Sequence, residues 1–239
     1  MGYMNKEVDL SVSCYGKVKD RKYDIVILPW GATEPHNLHL PYMTDCILSH
    51  DVAVDAALIA KQKYGVNCMV IGMGSQNPGQ RELPFCIHTR YETQKAILTD
   101  IVSSLYVQGI RKLIIINGHG GNTFKSMIRD LSVDYPDFLI ASSEWYTVLK
   151  VKDYFENPGD HADEVETSVM MHYHPELVNL EEAGNGEYKT FAVQSLNEKV
   201  AWIPRNWGKV SAEKGKKFAE AVAEKYAKLF DELVNQELY

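Results

Sequence analysis

Residues 24–51 read DIVILPWGATEPHNLHLPYMTDCILSHD, and the fold turns on what this stretch does. Asp24 to Leu28 is a short apolar run of the kind that forms a buried strand, and it breaks at Pro29 and Gly31. The loop that follows carries Glu34, His36, His39 and, at its end, Asp45. Carboxylate and imidazole side chains are the ligands that hold a divalent metal through oxygen and nitrogen. Thr44 to about Lys63 then reads as a helix that Thr44 or Asp45 can cap. Ile47, Val52, Val54, Ala57, Leu58 and Ile59 give it a broad apolar face, and Gly65 ends it.

The same unit recurs outward from there. Cys68–Ile71 is a second apolar strand, leading into a polar loop rich in Gly, Pro, Asn and Gln. Tyr91 to Gln108 reads as a helix closed by Gly109. Lys112–Ile116 is the third strand and runs straight into NGHGGN at 117–122, with a helix expected from about Thr123 to Leu131. Phe138–Ser142 is the fourth strand. HADEVETS at 161–168 opens a short helix into Met171, residues 174–210 read as loops with one short strand, and Ser211 to Leu238 is a long charged amphipathic helix. Strands alternating with helices predict an α/β fold, here a single three-layer αβα domain over residues 1–239 with a mainly parallel sheet. Ligands of such sheets bind beyond the carboxyl ends of the strands. The segments 29–45 and 117–122 both follow strand ends, so they should meet in space.

Composition narrows the partners. The chain has 239 residues, 45% hydrophobic and 24% charged, which suits an ordinary globular protein. A net charge of -7 without a long basic run argues against nucleic acid and anionic membrane surfaces. The cysteines at 14, 46, 68 and 86 form no CxxC pair, so they read as free thiols in a reducing cytoplasm. The start, MGYMNKEVDLS, has no apolar signal core, and no apolar run is long enough to span a bilayer.

Three constellations carry chemistry. Glu34 and His36 are two apart in an extended segment and can face one cavity, to which Asp45 can return a carboxylate able to bridge two cations. The bland alternative makes Asp45 a helix cap and His36 a surface residue. In 117–122 the glycines permit a tight turn, and His119 stands where a strand has just ended; a phosphate cradle is the weaker alternative, since no Walker or dinucleotide pattern is present. In the third, Glu166 shares a mostly apolar helix face with Ala162, Val169 and Met170 and is expected inward, while Glu164 is expected to be exposed. A buried carboxylate needs a partner, and a metal is a good one. Both glutamates could instead simply favour the helix dipole. Gln76, Asn77, Gln80 and Arg81 follow the second strand and could reach a substrate.

These residues resemble the creatininase (creatinine amidohydrolase) family. Its first motif, approximately E-x-H-G-x-H-L-P-x-x-T-D, stands here at Glu34–Asp45 with Asn37 in place of Gly. N-G-H-G-G-N matches in full at 117–122, and H-A-G-E-x-E-T-S stands as HADEVETS with Asp163 in place of Gly. The resemblance implies an α/β domain, a homo-oligomer (often a hexamer), and two divalent metal ions per chain, Zn or Mn with Fe as a further candidate. It implies hydrolysis of an amide-type C–N bond in a small molecule. Carried over by motif, Glu34, Asp45 and His119 bind one metal, and His36 with the bridging Asp45 binds the other. Creatininase completes the second site with a Glu two residues after the metal His; that position is Gly121 here, and Glu166 is the candidate replacement. His161 corresponds to the family's proton-moving histidine and would deliver a proton to the leaving nitrogen as general acid, and His39 would orient the ligands from behind. Gly120 and Asn157-Pro158 replace a Tyr and a Trp–Asp pair that help hold creatinine, so a divergent member with another substrate, a cyclic amide or a formamide, is expected; Gly120, Gln80 and Arg81 would line the substrate site. A formylated nucleotide-pathway intermediate, a modified peptide, or metal binding without turnover are the alternatives.

Overall fold

The computed structural model describes residues 7–71, 85–159, 161–183 and 209–237. A short helix α1 (Tyr15–Val18) precedes strand β1 (Ile25–Trp30), helix α2 (Thr44–Tyr64), β2 (Cys68–Val70), α3 (Tyr91–Val107), β3 (Lys112–Asn117), α4 (Lys125–Asp134), β4 (Leu139–Glu144), α5 (Glu164–Tyr173) and α6 (Ala212–Asn235). Two 3-10 turns, Pro175–Leu177 and Leu180–Glu182, follow α5. The rest of the expected 174–210 loop region and the loop carrying Gln76, Asn77, Gln80 and Arg81 lie outside the described residues.

Among the described residues the sheet has four strands in the order β2-β1-β3-β4, all parallel. Every residue of β1 is buried, as are all but Lys112 in β3, because helices cover both faces. Alternation along the strands divides the core in two. Ile25, Ile27, Ile114 and Ile116 point to α2, α5 and α6. Val26, Leu28, Trp30, Leu113 and Ile115 point to α3 and α4. The three-layer αβα arrangement expected from the sequence follows from this alternation.

The first strand corrects the expectation that it breaks at Pro29. It runs on through Trp30, with Pro29 in register with Ile116. Ile27 O accepts from Ile71 N on the β2 side and Trp30 O accepts from Gly118 N on the β3 side. Pro29 has the parity of Ile27, so its missing N–H faces the β2 side, where β2 has already ended. Gly65, at φ +72, ends α2 and donates to Ala60 O and Lys61 O.

Candidate metal centre

Both polar segments lie beyond the carboxyl ends of the two central strands. Two glycines let them close on the start of α2. A Cβ on Gly31 would stand 2.5 Å from Cys46 N, and one on Gly118 would stand 2.3 Å from Asp45 O. The first loop is tied to itself by Glu34 N–H to Tyr42 O at 3.1 Å and Leu40 N–H to His36 O at 3.3 Å. Asn37 sits at φ +54 and accepts from Leu38 N–H at 2.7 Å. Asparagine is the side chain that best tolerates a left-handed position after glycine, so this departure from the family motif keeps its turn.

The helix cap expected of Thr44 or Asp45 is not made. The N-cap is Met43 without a side-chain bond, and Thr44 donates to Pro41 O at 2.6 Å. Asp45 lies in the first turn with its carboxylate turned into the site. Its Oδ1 is 2.9 Å from His36 Nε2 and its Oδ2 is 3.1 Å from His119 Nδ1. Oδ2 is buried yet makes no hydrogen bond among the described residues. Glu34 Oε1 is 3.1 Å from His119 Nδ1 and 3.4 Å from His161 Nδ1. His36 Nε2 is also 3.9 Å from Glu166 Oε1.

Three overlapping groups of ligand atoms result, each within 4.8 Å: Glu34, Asp45 and His119; His36, Asp45 and Glu166; and Glu34, His36 and His161. The first two are the sets expected from the motifs. Their chemistry fits a divalent cation. His36 Nδ1, 3.0 Å from Glu34 O, can only donate there, which leaves the Nε2 lone pair turned inward. Asp45 Oδ2 fits as well: buried 3.1 Å from His119 Nδ1 but outside hydrogen-bond geometry, it is an acceptor that a metal would satisfy.

Without a metal, protons take its place. Burial opposes charge on His36, but Asp45 at its Nε2, with Glu166 and Glu34, lifts it to about 10. His119 is likewise lifted to about 10 against burial by Asp45 and Glu34. Burial works against the Asp45 charge too, yet His36 and His119 hold its carboxyl well below the usual range. Glu34 is also lowered against burial, by His119 first. Glu166 moves the other way: burial, reinforced by Asp45 and Asp163, raises it to about 8 although His36 opposes. Burial and the neighbouring His36 lower His161.

The third segment brings Glu166 inward as expected. Its Oε2 accepts from Ala162 N–H, and Ala162 holds φ +46 to aim that donor. Asp163, the second departure from the motif, caps α5 by accepting from Val165 N–H and Glu166 N–H, each at 2.9 Å. Glu164 overturns the expectation of exposure. It is buried, accepting from Asn157 N–H at 2.7 Å and pairing with Lys214 Nζ at 2.8 Å. α6 packs over this side of α5, with Gly215 against the Ser168 carbonyl, and brings the lysine with it. His161 rests on Pro35 O through Nε2 at 2.8 Å, its ring 4.4 Å from that of His36. His39 bonds Thr167 Oγ1, on the residue after Glu166, at 2.9 Å. Gly120 and Gly121 are exposed on the turn beyond His119.

Sequence reasoning gave Asn117 and Asn122 no role of their own within NGHGGN, yet they hold the second loop. Asn117 Nδ2 donates to His119 O at 2.8 Å, and its Oδ1 accepts from His119 N–H at 3.1 Å. Asn122 Nδ2 reaches Asn117 Oδ1 at 3.1 Å and Gly31 O at 3.2 Å, joining the two loops. Their place in a turn straight after a strand was the available signal.

The fold and this cluster define a hydrolase of amidohydrolase type. Residues 12–236 match the creatininase family model, described as creatinine amidohydrolase, and the chain belongs to that family. A crystal structure from Bacteroides fragilis NCTC 9343, provisionally named a creatinine amidohydrolase, is 64% identical with a TM-score of 0.87, covering 99% of this chain and 100% of that one. The 3-dehydro-scyllo-inosose hydrolase of Thermotoga maritima is 26% identical over 90% of this chain and 79% of its own length. A structure named for creatininase with Mn shares the fold at a TM-score of 0.75 and 20% identity, covering 96% of this chain and 99% of that one. Among the described residues no helix is long and apolar enough to cross a membrane.

Proposed function

We propose that this chain hydrolyses the C–N bond of a cyclic amide or formamide-type small molecule at two divalent metal ions, Zn or Mn with Fe as a further candidate. The observation that carries this is the Asp45 carboxylate, whose two oxygens each face a different imidazole, at 2.9 and 3.1 Å. A carboxylate placed between two imidazoles in this way would be shared by the two ligand sets. Glu34 and His119 would complete one ligand set and His36 and Glu166 the other, with Glu166 standing in for the glutamate that is Gly121 here. Metals bound there would lower the pKa of a water and polarise the substrate carbonyl. His161 donates through Nε2 to the Pro35 carbonyl, which leaves Nδ1 to exchange protons. It accepts the proton of the attacking water and returns it to the leaving nitrogen. Backbone N–H groups of the exposed 120–121 turn would support the oxyanion. The resemblance alone supports a homo-oligomer, a hexamer; the scattered cysteines support a reducing cytoplasm, and the chain length supports residues 1–239 as one domain.

Elemental analysis of protein purified without chelator tests the centre; about two metals per chain are expected. Asp45→Ala should lose both while staying folded, and Glu166→Gln should lose one. Two metals retained in Asp45→Ala would refute the bridge. A panel of lactams, formamides and creatinine then seeks the substrate. The Thermotoga maritima relative favours one further reading, so 3-dehydro-scyllo-inosose joins the panel. Metal without turnover on any of these would favour a binding or regulatory role.

A further inference from the structure

Just beyond β4 the chain makes a 3-10 turn, Trp145–Thr147, at the carboxyl edge of the sheet. Glu144 is in register with Asn117, so Tyr146 and Gly120 leave paired strand ends together. The Tyr146 ring is fixed: it meets Trp145 edge-on at 5.9 Å between centroids and packs partly buried against the core. Its hydroxyl lies 3.4 Å from where a Cβ on Gly120 would stand. A methyl group is the most that position 120 admits without moving the phenol. Among the described residues the hydroxyl has no recorded hydrogen bond, and part of Tyr146 remains exposed. Burial first, then Glu144 and the carboxylates of Asp45 and Glu166, raise this phenol, so it stands beside the His119 turn as a neutral donor.

We infer that the Tyr146 hydroxyl donates a hydrogen bond to an oxygen of the substrate, beside the His119 turn. The inference rests on the metal-centre reading above and adds a substrate contact to it. The carboxylates and imidazoles of the centre are directed at cations, whereas a rigid phenol offers a proton without a charge that would repel them. The missing side chain at Gly120 is what gives it access.

The test uses acetohydroxamate, a small carbonyl-bearing ligand, on the zinc-loaded full chain, read by titration calorimetry beside elemental zinc analysis. Tyr146→Phe keeps the ring and its packing on Trp145. It should bind acetohydroxamate about tenfold more weakly, the loss of one hydrogen bond, at unchanged zinc content. Gly120→Leu, which pushes the phenol aside, should weaken it similarly. Equal affinity of Tyr146→Phe and the natural chain would overturn the inference and leave the metal centre standing. Loss of zinc from Tyr146→Phe would overturn it as well, making the residue a support of the metal ligands. A zinc-loaded natural chain with no affinity for acetohydroxamate would also overturn it. A natural chain that takes up no zinc, manganese or iron would fail the metal-centre reading, and this inference with it.

Discussion

On the proposed reading, filling the centre with two metals expels protons, and the geometry sets how many. His36 and His119 are held at about 10 and Glu166 at about 8 in the metal-free chain. All three carry protons at pH 7, and all three must present lone pairs to a metal. Occupancy of both sites should therefore release roughly three protons per chain at pH 7. The sign is fixed: metals take the deprotonated forms, so affinity rises with pH. The product of the two binding constants should climb about a thousandfold per pH unit below pH 8, and about a hundredfold from there towards pH 10. Calorimetric titration of chelator-stripped protein with zinc, in buffers of differing ionisation enthalpy at pH 6 and 7, counts the protons directly. Ionisation of a metal-bound water can only add to the count. Fewer than two protons would refute the reasoning, since the imidazoles would then not be standing in for cations.

The same shifts bear on stability. A histidine raised from 6.5 to about 10 gives stability that is full below 6.5 and is lost as pH climbs to about 10. Glu166, raised from 4.5 to about 8, accrues its cost over that interval. The melting temperature of stripped protein should fall between pH 6.5 and 9 and fall less with metal bound; a flat profile would contradict all three shifts. Asn37→Gly should be nearly neutral at φ +54, whereas Asn37→Val should cost about 1–3 kcal/mol in denaturant melts. Gly118→Ala puts a Cβ 2.3 Å from the Asp45 carbonyl and should cost about 1–3 kcal/mol, with loss of metal visible in elemental analysis. Lys214→Met strands the buried Glu164 charge; because the lysine is about a third exposed, about 1–3 kcal/mol is expected, and adding Glu164→Gln should restore part of it in thermal melts.

What the sequence made legible is what depends on one element at a time. Strands β1 and β3 stand out because a parallel strand covered on both faces reads as an unbroken apolar run. The centre stands out because Glu, His and Asp recur just past those strand ends. What stayed hidden depends on a second element. Pro29 could be placed inside β1 only by knowing that β2 stops short of it. Glu164 has an exposed position on the wheel of α5 alone and becomes buried because α6 brings Lys214 across it. The Asn122 bond to Gly31 spans 91 residues, which no local period reports. Tyr146 was passed over for the same reason, since its relation to Gly120 exists only through the pairing of β3 with β4.

The departures from the family motifs divide by what they touch. Asn37 replaces a glycine at a left-handed position that asparagine tolerates, and Asp163 replaces another while capping the helix that carries Glu166. Both substitutions leave the ligand-bearing backbone in place. Gly120 and Gly121 do the reverse. They remove side chains from the exposed turn beyond His119; on the proposed reading this leaves the ligand role at 121 to Glu166 from α5 and the space at 120 to Tyr146 from the end of β4. A substitution that preserves a turn has reason to persist while the metal chemistry persists. One that exchanges the lining of the cavity has reason to persist only if the molecule entering it has changed. On the proposed reading, the metal centre therefore stays with the family and the substrate departs from creatinine.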